Sequence, residues 1–255
     1  MPSFAPIRSV ERAIDVLMAL NRYPVCSLEL LYQQTSIPKP TLVRLLETLQ
    51  HKGLVTHAPQ YGAYSLASGV KQLSAGYHGE PRIVEAASAL ADALTRQIKW
   101  PLALAVLDYD AVVVRYSTIP NSPLALLHST INMRLSLVGR ALGRAYLAFC
   151  TGEERRALLD ILKLSANEED TIAHDRKAVL ATLRKIRQQG YALREPGIRP
   201  VSRTLAVPVM EGRRVVASLG MTWIASAVSD EQAVKRYLEP LQDLSRLIGK
   251  RLADL

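Results

Sequence analysis

In the stretch SIPKPTLVRLLETLQHKGLV, residues 36–55, Lys39, Thr41, Arg44 and Thr48 are the side chains that could do chemistry. On a helix, Thr41, Arg44 and Thr48 share one stripe, while Leu42, Leu45, Leu46 and Leu49 recur at i, i+3, i+4 and i+7 on the other. A guanidinium can donate two hydrogen bonds to guanine O6 and N7. An ammonium or hydroxyl in the first helical turn is better placed for phosphate, where the free N–H groups and the helix dipole also favour an anion. A solvated amphipathic helix has the same pattern, so the neighbouring elements must decide.

A second set of candidates lies further on. From Ala111 to Gly152 there is no Asp or Glu, yet Arg115, Arg134, Arg140 and Arg144 are present, and Arg194, Arg199 and Arg203 follow in a later loop. Arginine is the usual bidentate partner of a carboxylate, so the group favours an acidic small molecule, although any one of these residues could equally be a surface or subunit-contact ion pair.

Other chemistries find little support. His51, His57, His78, His128 and His174 are scattered, and no phosphate-binding glycine loop, paired-carboxylate motif or metal-ligand spacing occurs, so no cofactor or metal is expected. Cys26 and Cys150 have no CxxC partner and read as buried apolar residues, Cys150 in mid-helix. An enzyme acting on a small acid, its N-terminal part serving only for oligomerisation, remains the alternative reading, and a ligand-free interaction module is a third.

The 255 residues carry a net charge of +9, which suits an anionic partner without naming it. The longest apolar run, Leu102 to Leu107, is far short of the roughly 20 residues of a membrane helix, and Arg8, Glu11, Arg12 and Asp15 stand where a signal peptide is apolar. A cytoplasmic protein with no membrane partner is expected.

The elements that position the first set can be read from periodicity. Ile7 to Asn21 has the pattern of a helix with Val10, Ile14, Leu17 and Leu20 on its buried face. Ser27 is the candidate N-cap of a second helix, Leu28 to Gln34. The third runs from Pro38 to Lys52: Pro38 and Pro40 fall where helical N–H groups have no acceptor anyway, and Gly53 suits the left-handed residue after the end. Two short strands, 54–56 and 64–66, bracket a turn, and residues 1–79 hold seven Lys or Arg against four Asp or Glu. Three helices and a hairpin in this order make a winged helix-turn-helix.

A further helix, Val70 to Tyr77, leads to a domain boundary near residue 79, set by Gly76, Gly79 and Pro81. Beyond it the pattern gives a helix to Lys99 and a hairpin of strands 102–107 and 111–116. Thr151 and Glu154 form a capping box for the next helix, which is followed by one from Ile172 to Gln189. A second hairpin, 204–209 with 215–223, precedes a C-terminal helix capped by Ser229 and Gln232. Residues 80–255 thus read as a mixed sheet covered by helices, and the whole chain as α+β.

SVERAIDVLMAL, SIPKPTLVRLLETLQHKGLV and the wing ending in YSLA resemble the N-terminal domain of the IclR-type bacterial transcriptional regulators, and VGRALGRAYLAF, GYAL and TLAVPVMEGRRVVASLGM are similar to later segments of that family. WPLALAVLD, AYLAFC and IASA look closest to its activators of aromatic-acid catabolism, such as the regulator of 3-hydroxyphenylpropionate degradation. The resemblance implies a winged helix-turn-helix domain, residues 1–79, joined by a linker helix to a GAF-like α/β effector-binding domain, residues 80–255. It also implies binding to a double-stranded DNA operator, to a small carboxylate effector and to further copies as a homodimer or homotetramer, with RNA polymerase as a partner if the protein is an activator. Lys39, Pro40, Thr41, Arg44, Thr48, Ser27, Arg8, His57 and Tyr61 would then face DNA, and Arg140, Ala141, Leu142, Arg194, Arg203, Thr204, Gly220 and Thr222 the effector. The sequence departs from the family at Arg194, where an acid is more usual, at Thr204, where cysteine is frequent, and at Arg144, where lysine is common.

Overall fold

A computed structural model describes residues 5–75 and 82–254. The chain divides into two compact units, residues 1–79 with 127–129 and residues 80–126 with 130–255. The expected Gly76, Gly79 and Pro81 boundary and the end of the 70–77 helix lie outside the described residues.

The first unit contains α1 (Arg8–Arg22), β1 (Cys26–Ser27), α2 (Leu28–Thr35), α3 (Lys39–His51), β2 (Val55–Ala58), β3 (Ala63–Leu66) and a short α4 (Gln72–Ala75). Its sheet has the order β1-β3-β2, with β3 antiparallel to both neighbours. The core is built from Val16 and Leu20 of α1, Leu31 of α2, Leu42, Leu46 and Leu49 of α3, and Cys26, Ile37 and Val55. Gly53 (φ 69°) ends α3 and Gly62 (φ 56°) closes the wing turn after a 3-10 turn at Pro59–Tyr61; positive φ is the conformation glycine tolerates without strain.

The expected face of α1 is corrected. Leu20 is buried, but Val10 (52% exposed) and Ile14 (53%) face solvent beside Ile7 and Met18, and the helix packs through Val16, Ala19 and Leu20. The helix carries apolar residues on two opposite sides, so its periodicity alone did not say which is covered.

The second unit contains α5 (Arg82–Ile98), β4 (Leu102–Asp108), β5 (Ala111–Ser117), β6 (Arg134–Ser136), α6 (Ala141–Phe149), α7 (Gly152–Leu162), α8 (Arg176–Gln189), β7 (Ala192–Leu193), β8 (Ser202–Glu211), β9 (Arg214–Ile224) and α9 (Asp230–Asp254). Its six strands have the order β6-β5-β4-β9-β8-β7. Every pairing is antiparallel, so the expectation of a mixed sheet is corrected. Connections here are hairpins or returns to the opposite direction, and no parallel crossover is formed.

The sheet separates two cores. One face carries Val112, Val114, Ala105 and Ala206 under α6 and α8; the other carries Leu104, Leu205, Leu219, Met221 and Trp223 under α5 and α9. Gly143 lets α6 close onto the preceding loop, since a Cβ there would meet the Ser136 carbonyl oxygen at 2.1 Å. Ser229 and Gln232 form the expected reciprocal cap of α9, whereas the Thr151 cap is one-sided: Glu154 accepts the Tyr146 hydroxyl instead. The expected helix from Ile172 is corrected to a start at Arg176, because Asp175 caps it by accepting Ala178 N–H at 3.0 Å, after a 3-10 segment. Among the described residues no helix is long and apolar enough to cross a membrane.

Candidate DNA-recognition and effector sites

The first site is built on α3. Pro38 is its N-cap, and the Pro38 carbonyl accepts from Thr41 N–H (2.9 Å) and Leu42 N–H (3.0 Å), so neither Pro38 nor Pro40 removes a helical bond. Leu42, Leu46 and Leu49 are buried and Leu45 half-buried, which turns Arg44 and Thr48 to solvent and leaves Thr41 at the margin. The Arg44 guanidinium meets no hydrogen-bond or ion-pair partner among the described residues. Thr48 donates to the Arg44 carbonyl at 2.7 Å.

Lys39 is not free. Its Nζ lies 2.6 Å from Glu29 of α2 and 5.8 Å above the Tyr32 ring. The Glu29 hydrogen bond and charge hold the Lys39 ammonium above its usual range, and Lys39 in turn holds the Glu29 carboxyl below its own. Both groups are solvated, so this is a weak tie that a phosphate can compete for. Ser27 caps α2, its Oγ accepting Leu30 N–H at 3.2 Å. Arg8 is exposed at the first residue of α1, Tyr61 is 79% exposed in the wing turn, and the His57 ring stacks on Tyr64 with centroids 4.3 Å apart.

The second site is at one end of the six-stranded sheet, mainly on the face under α6, with Arg203 leaving β8 on the opposite face toward α9. Arg140 is the N-cap of α6 and pairs through Nε (2.7 Å) and Nη2 with both oxygens of Glu169. Arg144, one turn on, donates to Glu195 at 2.7 Å. Arg203 holds Asp230, the first residue of α9, through Nε (2.9 Å) and Nη2. Ser136 braces the loop before α6, accepting from Val138 and Gly139 N–H and donating to the buried Asp170. The Ala141 and Leu142 side chains are buried, and the floor beneath is made of small residues. Gly220 faces Leu142 so closely that a Cβ would sit 3.0 Å from Leu142 Cδ2, and the Thr204 and Thr222 hydroxyls bond to each other at 3.1 Å.

Arg194 is different. It is 4% exposed; Nη2 donates to the Ser202 carbonyl and, at 2.9 Å, to Ser202 Oγ, while Nε is buried without an acceptor. Burial, followed by repulsion from Arg140, Arg203 and Arg199, pulls its pKa down to about 10. No carboxylate pairs with it among the described residues.

The remaining arginines of the expected set do not join this group. Arg115 and Arg134 bond to Asp108 and Asp110 at the β4–β5 turn. Cys150 stands at the C-cap of α6 rather than in mid-helix, buried, with its thiol pushed up to about 11 by burial and then Glu154. Sequence reasoning missed the acids Glu169, Glu195 and Asp230 and the hydroxyl of Ser202. They lie from 8 to 51 residues from the arginines they bind, and no local spacing marks them.

Comparison with known proteins bears on the chain as a whole. Residues 9–59 match the IclR helix-turn-helix domain and residues 76–250 match the bacterial transcriptional regulator IclR C-terminal region. The chain is 30% identical to the HTH-type transcriptional regulator XynR of Escherichia coli K12 over 95% of its own length and 98% of the relative's, and 26% identical to the KdgR regulator of the same organism over 96% and 93%. Its fold resembles that of an IclR homologue from Microbacterium hydrocarbonoxydans crystallised with 4-hydroxybenzoate, with a TM-score of 0.62 at 17% identity, covering 97% of this chain and 100% of the other. The relatives are regulators and not enzymes. With both regions matched in order along nearly its whole length, the chain belongs to the IclR family of DNA-binding transcriptional regulators.

Proposed function

We propose that this regulator senses a small organic acid, with an aromatic ring as the first choice, and controls genes for its catabolism. The observation that carries the reading is the buried, acid-free Arg194, with Arg140 and Arg203 close by, at one end of a floor of small residues, Thr204, Gly220 and Thr222. Guanidinium groups suit a carboxylate and a small-residue floor accepts a flat ring. The 4-hydroxybenzoate bound by the Microbacterium homologue is an aromatic acid of this kind.

On the DNA side, Arg44 reads a base edge in the major groove, and Lys39, Thr41 and the start of α3 hold phosphates, with Arg8, Ser27, Pro40, Thr48, His57 and Tyr61 around them. Two such units meet a two-fold operator as part of a homodimer or homotetramer. The exposed stripe Ile7, Val10, Ile14 and Met18 supports this, because Arg8, Glu11, Arg12 and Asp15 beside it alternate in sign and are self-complementary about a two-fold axis.

The test is fluorescence anisotropy with DNA from upstream of the protein's own gene and its neighbours, with and without 4-hydroxybenzoate and a panel of aromatic and aliphatic acids. A ligand-dependent change in affinity is expected. Affinity that none of the acids moves would overturn the sensor reading.

A further inference from the structure

We propose that Arg194 is the anchor of the effector site and that it takes the single carboxylate of a monoanionic acid, in preference to a dianion or a neutral molecule. The inference rests on the small-acid reading above and specifies its charge and its contact atoms.

Charges in a buried place have to be matched. Arg140, Arg144 and Arg203 each hold an acid of the protein itself, Glu169, Glu195 and Asp230. Arg199 is half-exposed and solvated. That leaves Arg194 as the one buried guanidinium of the cluster without an ion-pair partner among the described residues, the acid that attracts it, Glu169, being already paired with Arg140, and a buried charge without a partner is costly enough that proteins rarely keep one idle. Its environment is short by one negative charge, so a monoanion balances it. A dianion would bring a second charge with only the solvated Arg199 to meet it, since Arg140, Arg144 and Arg203 are committed, and a neutral molecule would leave the deficit as it was.

The atoms available agree. Ser202 fixes the guanidinium by accepting twice at Nη2, and Nε, on the same edge of the group, still has its proton to donate. One carboxylate oxygen accepts from Nε. The Ser202 hydroxyl, which serves Nη2 as an acceptor, keeps its own proton for the second oxygen. The lower edge of the site is the Thr204–Thr222 pair, which has one hydroxyl proton to spare for a further polar group of the ligand.

The experiment is a thermal-shift titration, followed by calorimetry, of the full chain with benzoate, terephthalate and benzamide, and with pyruvate, oxaloacetate and pyruvamide as the aliphatic counterparts. The monocarboxylate of at least one series is expected to raise the melting temperature with concentration, and to bind at least about tenfold more tightly than its dianion and its amide. An amide or dianion as good as its monoanion, or no response to any monocarboxylate up to about 10 mM, the weak end for ligands this small, overturns the proposal. Two variants sharpen it. Arg194→Met, which removes the unmatched charge, should melt higher than wild type without ligand and lose the response; a lower melting temperature or an undiminished response counts against the anchor. Glu169→Gln, which frees Arg140, should move the preference toward the dianion, and an unchanged preference refutes the charge count even if Arg194→Met fails to fold. Operator affinity of the ligand-free wild-type chain is measured separately, so failure of the regulator reading is distinguishable from failure of this one.

Discussion

Arg44 and Arg194 are both arginines without an acid partner among the described residues, and they wait for anions in opposite ways. Arg44 stands on the outer stripe of α3 in water, where solvation makes a lone charge cheap and where salt screens whatever it attracts. Arg194 is 4% exposed, held by Ser202 and repelled by neighbouring arginines, so little water or salt reaches it. The lesson is that an unpaired charge means different things by depth: on the surface it is ordinary until a helix stripe and its supporting core give it a direction, whereas in the interior the missing partner is itself the signal.

The largest expected effect separates scaffold from contact. Leu46, fully buried behind the stripe, should cost about 2–5 kcal/mol of stability as Leu46→Ala, read by calorimetric melting, with operator binding lost through unfolding of the first unit. Arg44→Ala should leave the melting temperature in place and cost about 1–3 kcal/mol of operator binding, relaxing preference at one base pair, as read by anisotropy with single-substitution operators. Equal loss on every sequence would make Arg44 a phosphate contact and weaken the contrast with Arg194. Ser27→Ala should remove about 1 kcal/mol by uncapping α2, seen in urea melts. The smallest effects concern Lys39. Lys39→Ala should flatten the slope of log affinity against log salt by about one, whereas Glu29→Gln, which releases Lys39 from its ion pair, should tighten binding to all DNA. A Glu29→Gln protein that binds DNA no better would mean the pair does not compete with phosphate.

Much of this was legible in the sequence where the physics is local. The caps at Ser27 and Ser229, the proline start of α3, Gly53 after it and the leucine stripe all depend on residues within a turn of one another, and they appear as read. What depends on distant partners was not legible. Residues Cys26–Ser27 become a strand only because Tyr64 and Ala63 lie beside them, and β7 is two residues long and exists through β8. For α1 the sequence offers two apolar faces, and only the packing of Val16, Ala19 and Leu20 against Leu31 and Leu42 selects one. In the arginine set, seven similar side chains look alike until Asp108 and Asp110 take Arg115 and Arg134, and Glu169, Glu195 and Asp230 arrive from elsewhere in the chain for three more; of the two left without an acid among the described residues, Arg194 is the buried one.

The long C-terminal helix has a mechanical side. At its first residue, Asp230 is gripped by Arg203 from the end of the sheet that holds the arginine cluster; near its last, the Leu252 carbonyl accepts from Arg82, the first residue of α5, at 3.2 Å. At about 1.5 Å per residue, the stretch from Asp230 to Leu252 makes a strut of roughly 33 Å between these two grips. It is seated at one point without slack, since a Cβ on Gly249 would sit 2.2 Å from the Met210 carbonyl oxygen, and its one interrupted rung is at Pro240. Held by Arg203 and Arg82 near its two ends, and seated on the sheet at Gly249 and through Ser245, the helix ties the arginine end of the sheet to the start of α5, with Pro240 the one opening in its hydrogen-bond ladder.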